Sequence, residues 1–124
     1  VEKKKIMVID DSKVIRRSAE VFLTSAGYNV ILVEDGFDAL VSVIEENPDL
    51  VFIDVLMPKM DGLQTCQIIK RNDQFKNMPI IFLSSKDGEF DKARGLMVGA
   101  SDYLAKPFTK DTIIAIAKKY TENN

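Results

Sequence analysis

Leu50-Val51-Phe52-Ile53-Asp54-Val55-Leu56-Met57-Pro58 is the stretch whose reading decides the fold. Four apolar residues run straight into one carboxylate, and a proline closes the stretch four residues later. A continuous apolar run bounded by turn signals marks a strand buried on both faces, as in a parallel sheet. Asp54 then stands at the end of that strand, on the edge where open α/β sheets bind their ligands. Taken alone, it is equally well explained as a capping or turn aspartate. Its role depends on what else the chain brings to the same edge.

Upstream, Ile6-Met7-Val8-Ile9 is a second short apolar run, and it stops at Asp10-Asp11-Ser12. That pattern predicts a buried strand leading into a helix capped by Asp11 or Ser12. Ile15, Ala19, Phe22 and Ala26 then form one helical stripe, and Gly27 follows where a left-handed cap is wanted. Asn29 to Val33 reads as a strand. Gly36 to Glu46 reads as a helix carrying Phe37, Leu40, Val41 and Ile44 at helical spacing, stopped by Asn47-Pro48. Downstream of Asp54, Asp61-Gly62 supplies a turn and a helix start, with Leu63, Cys66 and Ile69 on the buried side. Ile80 to Leu83 is a fourth buried strand ending at Ser84-Ser85, and Asp87 to Val98 is expected to be a helix weakened by Gly88 and Gly95. Asp102 to Ala105 is a short fifth strand before Lys106-Pro107, and Thr109 caps a last helix to Thr121. Five strands alternating with five helices predict a three-layer α/β sandwich around a parallel sheet, in one domain spanning residues 1–124.

Composition narrows the chemistry. The 124 residues are 46% hydrophobic and 29% charged, enough for one domain with a sizeable core. The absence of histidine excludes serine–histidine catalysis, cysteine–histidine pairs and histidine-based zinc sites. The single cysteine, Cys66, cannot form an internal disulfide, which suits a reducing cytoplasm. No apolar run approaches the roughly 20 residues of a membrane span, and no signal-peptide pattern opens the chain. A net charge of −2 gives no reason to expect nucleic acid as a partner. Lys3-Lys4-Lys5 reads as solvated flank rather than a phosphate or membrane contact. The first residue is not methionine, which leaves room for a longer parent protein.

The expected architecture gathers particular groups at one edge. Asp10 and Asp11 end the first strand, Asp54 the third, Ser84 the fourth and Lys106 the fifth. Singly, each has a capping, turn or loop explanation; together they make three carboxylates, a hydroxyl and an ammonium from four strand ends. Two carboxylates about 4 Å apart repel by roughly 4 kcal/mol at an effective dielectric near 20. Uncompensated, that repulsion would lift one pKa by about 3. Lys106 alone offsets one of three charges, so a hard divalent cation with oxygen ligands is expected: Mg²⁺, with Mn²⁺ or Ca²⁺ as substitutes. Carboxylate, cation, lysine and hydroxyl suit phosphoryl transfer, which asks mainly for positioning and charge stabilisation. Asp54 would be the acceptor, forming an acyl phosphate whose oxygens Lys106 and the Ser84 hydroxyl hold.

Asp10-Asp11, Asp54 with Met57-Pro58 and Asp61-Gly62, Ser84-Ser85, Gly99-Ala100, Tyr103 and Lys106-Pro107-Phe108 together resemble the receiver domain of two-component response regulators. The resemblance runs from the first strand to the last helix. It implies a flavodoxin-like fold with strand order 2-1-3-4-5 and a phosphoryl group taken by Asp54 from a histidine kinase or phosphotransfer protein. It further implies Mg²⁺ held by Asp11, Asp54 and the Leu56 backbone carbonyl, with Asp10 acting through water. Ser84, Lys106 and the Ser85 backbone would bind the phosphoryl group. Ser84 and Tyr103 would form the switch, and Lys106-Pro107 would be a cis bond. Asp61-Gly62 is read as structural. Leu56 and Lys86 fall at positions that tune dephosphorylation in the family, and an apolar Leu56 would not hold an attacking water. Output is expected as protein contact through the fourth helix, fifth strand and fifth helix of a monomer, toward a motility or motor component, because no effector follows Asn124. More narrowly, residues 35–40, 64–66 and 84–93 resemble the stand-alone receivers of type IV pilus twitching-motility systems.

Other readings fit less well. A haloacid-dehalogenase-type phosphatase needs an acid two residues past the nucleophile, where this chain has Leu56. In a flavodoxin, Asp10-Asp11 would repel the flavin phosphate. No Walker or dinucleotide glycine pattern occurs. A receiver kept only for binding would not need all the acids and Lys106. A receiver excised from a larger regulator or hybrid kinase stays open.

Overall fold

The computed structural model describes residues 3–85, 94 and 98–122. Its elements are β1 (Lys5–Ile9), α1 (Lys13–Ser25), β2 (Asn29–Val33), α2 (Gly36–Glu46), β3 (Leu50–Asp54), α3 (Gly62–Arg71), β4 (Ile80–Ser84), β5 (Asp102–Ala105) and a C-terminal helix (Lys110–Thr121). A 3₁₀ turn, Asp73–Phe75, lies between α3 and β4. All strand pairs are parallel and their order is β2-β1-β3-β4-β5. The helix expected over 87–98 falls mainly outside the described residues.

Strand alternation divides the core into two layers. Met7, Ile9, Val51, Ile53, Ile80 and Phe82 pack on the α2/α3 side. Ile6, Val8, Leu50, Phe52, Ile81 and Leu83 pack against α1 and the C-terminal helix. Every residue of β3 and β4 is buried, which is why both read as unbroken apolar runs rather than alternating ones. The layer under α1 and the C-terminal helix is closed at its edge by polar bonds. Thr121 Oγ1 donates to the Ala117 carbonyl at 2.8 Å. That leaves the Tyr28 hydroxyl to donate to Thr121 at 3.0 Å, tying the end of the chain to the entrance of β2.

Helix ends follow local chemistry. Ser12, Asp35, Asp61 and Thr109 each accept a backbone N–H from the first turn of their helix. Asp61 and Thr109 complete capping boxes with Gln64 and Thr112. Gly27 leaves α1 with φ +95° and Asn47 leaves α2 with φ 48°, both left-handed.

Helix α2 departs from the stripe that its spacing suggests. The side pressed on the sheet is Gly36, Ala39 and Val43. Phe37, Val41 and Ile44 are exposed and Leu40 is only partly covered. Small residues let the helix backbone approach closely: a Cβ on Gly36 would sit 2.4 Å from Thr65 Oγ1 and 3.1 Å from the Met60 carbonyl. Among the described residues, no helix is long and apolar enough to cross a membrane.

Candidate functional site

Sheet register assembles the site. Ile9 pairs with Ile53, so the next residues of the two strands, Asp10 and Asp54, stand side by side. Asp10, Asp54 and Lys106 each lie two residues beyond an apolar member of one layer, Val8, Phe52 and Leu104. The pleat therefore turns all three to the same face of the sheet. β5 is separated from β3 by β4, a gap of about 10 Å at normal strand spacing, so a side chain of lysine's length is needed to cross it.

Lys106 does cross it. Its Nζ donates to Asp54 Oδ1 at 3.0 Å and to Asp10 Oδ2 at 3.3 Å. Asp10 is fully buried and Asp54 is 5% exposed. Asp11 is exposed, and one carboxylate oxygen from each of Asp10, Asp11 and Asp54 lies within 4.8 Å of the others. The Ser12 backbone N–H donates to Asp10 Oδ1 at 2.8 Å, and Arg16 Nη1 donates to the Asp10 carbonyl at 2.7 Å. The Arg16 contact had no signal in the sequence, because it joins a helix side chain to a strand-end carbonyl.

The electrostatics follow from burial. Burial, then the Asp10 charge, pushes Asp54 from 3.8 to about 6, against the hydrogen bond and charge of Lys106 and the Leu56 backbone N–H. The conflict between adjacent carboxylates anticipated from the sequence is therefore present, and Lys106 relieves it in part. Burial pulls the Lys106 ammonium down, but its bond to Asp54 and the charges of Asp10 and Asp54 outweigh that, and it ends raised.

The loop after Asp54 is held tightly. A Cβ on Gly62 would lie 2.0 Å from the Asp54 carbonyl oxygen, which only glycine avoids. The Gly62 N–H donates to the Val55 carbonyl at 2.8 Å. Between these anchors, Lys59 takes φ 72° and Leu56 points outward, 71% exposed. Asp61-Gly62 thus has the structural role expected of it.

The other predicted residues sit around this centre. Ser84 is buried at the end of β4, its hydroxyl donating to the Ser85 carbonyl at 3.4 Å. The Lys106 N–H donates to the Ser84 carbonyl at 2.6 Å, fixing the start of the Lys106-Pro107 turn, whose peptide bond is cis. Tyr103 is half-buried against the α2/α3 layer and pairs with Phe82 in register, one pleat back from Ser84. Lys86 lies outside the described residues.

The donor set suits a hard cation. Among the described residues, Asp10, Asp11 and Asp54 form a cluster of oxygen donors of which Lys106 contacts Asp10 and Asp54, and Asp10 is buried enough that its charge needs a neighbour. Asp10, Asp11 and Asp54 are the residues that could hold it.

The receiver domain model of response regulators matches residues 6–118. This chain belongs to the response regulator receiver domain family. Protein PilG of Pseudomonas aeruginosa is 52% identical over 116 residues, covering 94% of this receiver and 86% of that protein. Chemotaxis protein CheY4 of Vibrio cholerae superposes with a TM-score of 0.92 at 31% identity, covering 96% of this receiver and 99% of that chain. A solved structure from Chloroflexus aurantiacus J-10-fl gives 0.94 at 30% identity, covering 98% and 99%. The receiver resemblance and the strand order it implied both hold.

Proposed function

We propose that the receiver accepts a phosphoryl group on Asp54 from a phosphohistidine of a histidine kinase or phosphotransfer protein. The observation that carries this reading is Lys106 bridging Asp54 and Asp10, with Asp11 completing the carboxylate cluster. In the reaction an Asp54 carboxylate oxygen attacks phosphorus in line. The P–O bond forms as the P–N bond breaks, and the leaving imidazole is neutralised by a proton from solvent. With a pKa of about 6, Asp54 is mostly ionised at neutral pH and able to attack. Lys106 already donates to the acceptor carboxylate and follows the charge as it moves onto the phosphoryl oxygens. Mg²⁺, or Mn²⁺ in its place, supplies the remaining charge neutralisation when bound. Asp11, Asp54 and the Leu56 carbonyl would hold it, with Asp10 acting through water.

The Ser84 hydroxyl, now spent on a long bond to the Ser85 carbonyl, would turn to the phosphoryl group, joined by the Ser85 backbone. Tyr103, one pleat away, would follow that movement inward and change the surface around β5 and the C-terminal helix. The chain acts in signalling through residues 1–124 as one receiver domain, as a cytoplasmic monomer, and changes only its own phosphorylation state. Resemblance to type IV pilus receivers and identity to Protein PilG support a motility component as the downstream partner.

Incubation with acetyl phosphate or beryllofluoride plus Mg²⁺ tests the reading, with intact mass and fluoride NMR as readouts. Wild type should be modified or bound and Asp54→Ala should not. Modification that persists in Asp54→Ala would sink the assignment.

A further inference from the structure

Each polar group of Asp10 has a partner. Its N–H donates to the Val33 carbonyl at 3.1 Å, its Oδ1 accepts from the Ser12 N–H at 2.8 Å and its Oδ2 accepts from Lys106 at 3.3 Å. Its carbonyl accepts from Arg16 Nη1 at 2.7 Å, the shortest of these bonds. Asp11 is the opposite case: it is exposed, and among the described residues its carboxylate meets no hydrogen-bond or ion-pair partner. What Asp11 does share is a peptide plane, since the Asp10 carbonyl and the Asp11 N–H belong to one rigid unit. Holding that carbonyl fixes the plane, and the plane sets where the Asp11 Cα stands.

Arg16 reaches the carbonyl from α1. It stands one turn after the cap Ser12, whose carbonyl accepts the Arg16 N–H at 3.0 Å. Helical side chains lean toward the N-terminus, so the guanidinium folds back over the β1–α1 turn. The helix end itself does not favour a cation there: the first turn of α1 carries no acid, and the dipole opposes positive charge at that end. Arg16 is nonetheless half-buried on the strand-end carbonyl. We propose that Arg16 is a positioning residue for the cation site, locking the Asp10–Asp11 peptide so that the Asp11 carboxylate stands beside Asp54. This rests on the reading that Asp10, Asp11 and Asp54 hold Mg²⁺.

Two plainer roles give different results. As a partner for a buried carbonyl alone, Arg16 would matter for stability and not for the cation affinity of the folded chain. As a counter-charge to three acids alone, its removal would strengthen cation binding, because a positive neighbour repels the ion. A positioning role has the reverse sign: binding weakens although a competing charge has gone. Arg17 supplies the control, with the same charge one residue on, exposed and paired with Glu20 at 3.1 Å.

The test is a Mg²⁺ titration of the full, unphosphorylated chain followed by amide NMR, with urea unfolding to establish the fold of each variant. Arg16→Met, which has no donor, and Arg16→Gln, whose amide stops short of the carbonyl, should each bind Mg²⁺ about tenfold or more weakly than wild type. Arg17→Met should bind it as tightly as wild type or slightly tighter. Asp11→Asn should itself weaken binding, and in that background Arg16→Met should have little further effect, because Arg16 acts through Asp11. Unchanged or tighter binding in a folded Arg16 variant, equal weakening by Arg17→Met, or full additivity of Asp11→Asn with Arg16→Met would overturn the proposal. Loss of the fold in both Arg16 variants would make the residue structural and would overturn it too. Absence of Mg²⁺ binding in wild type, or no loss on Asp11→Asn, would overturn the cation site itself and the proposal with it.

Discussion

Asp54→Asn should make the metal-free protein more stable at neutral and alkaline pH, although it removes a charge that Lys106 contacts. The substitution keeps the shape of the side chain and deletes a buried negative charge next to Asp10. Asp54 titrates at about 6 in the folded chain against an ordinary value of 3.8, and one pH unit corresponds to about 1.4 kcal/mol. The ionised group therefore costs the fold about 3 kcal/mol relative to a neutral one. The sign follows from proton binding. Between about pH 4 and 6 the folded chain holds a proton that the unfolded chain has lost, so stability falls as pH rises through that window. Above it the cost is complete, and below the unfolded value it is absent. Urea unfolding in the presence of a chelator should show Asp54→Asn about 2–3 kcal/mol more stable at about pH 8 and equal to wild type near pH 4. Added Mg²⁺ should narrow the gap by stabilising wild type more. A variant no more stable than wild type at about pH 8, or a gap that does not vary across the window, would refute the burial argument.

Gly62→Ala should destabilise by about 1–3 kcal/mol in the same assay, because its Cβ would meet the Asp54 carbonyl oxygen at 2.0 Å; a neutral result would mean the loop yields freely. Tyr28→Phe should cost about 1 kcal/mol through loss of the bond to Thr121, and no change in the urea midpoint would show that bond to be idle. The phosphoryl group on Asp54 should outlast seconds in Mg²⁺, since the exposed Leu56 side chain cannot hold an attacking water. Loss within seconds after rapid removal of acetyl phosphate, followed by mass, would contradict that role for Leu56.

The strands were the most readable part of the chain, for a physical reason. β1, β3 and β4 are covered on both faces, so each is an unbroken apolar run that ends in the polar residue placed at the sheet edge. Asp10, Asp54 and Lys106 were legible for the same reason, as the residues on which those runs and β5 stop. Strand order was not legible from periodicity, which carries no information about neighbours; it came through the family resemblance. α2 shows a different limit. A helix apolar around more than half its circumference does not declare which arc meets the sheet, and here glycine, alanine and valine took that side while phenylalanine and isoleucine stayed outside. Contacts such as Arg16 on the Asp10 carbonyl, or Gly36 against Met60 and Thr65, join segments whose proximity only the folded chain creates.

Lys106 stands 96 residues from Asp10 and 52 from Asp54. During synthesis the two aspartates leave the ribosome long before their counter-ion does. No truncated or stalled chain ending before β5 can hold the Asp54 carboxylate in the geometry that Lys106 imposes. The cluster thus depends on the finished chain: a product that stops before β5 carries both aspartates without the ammonium that bridges them.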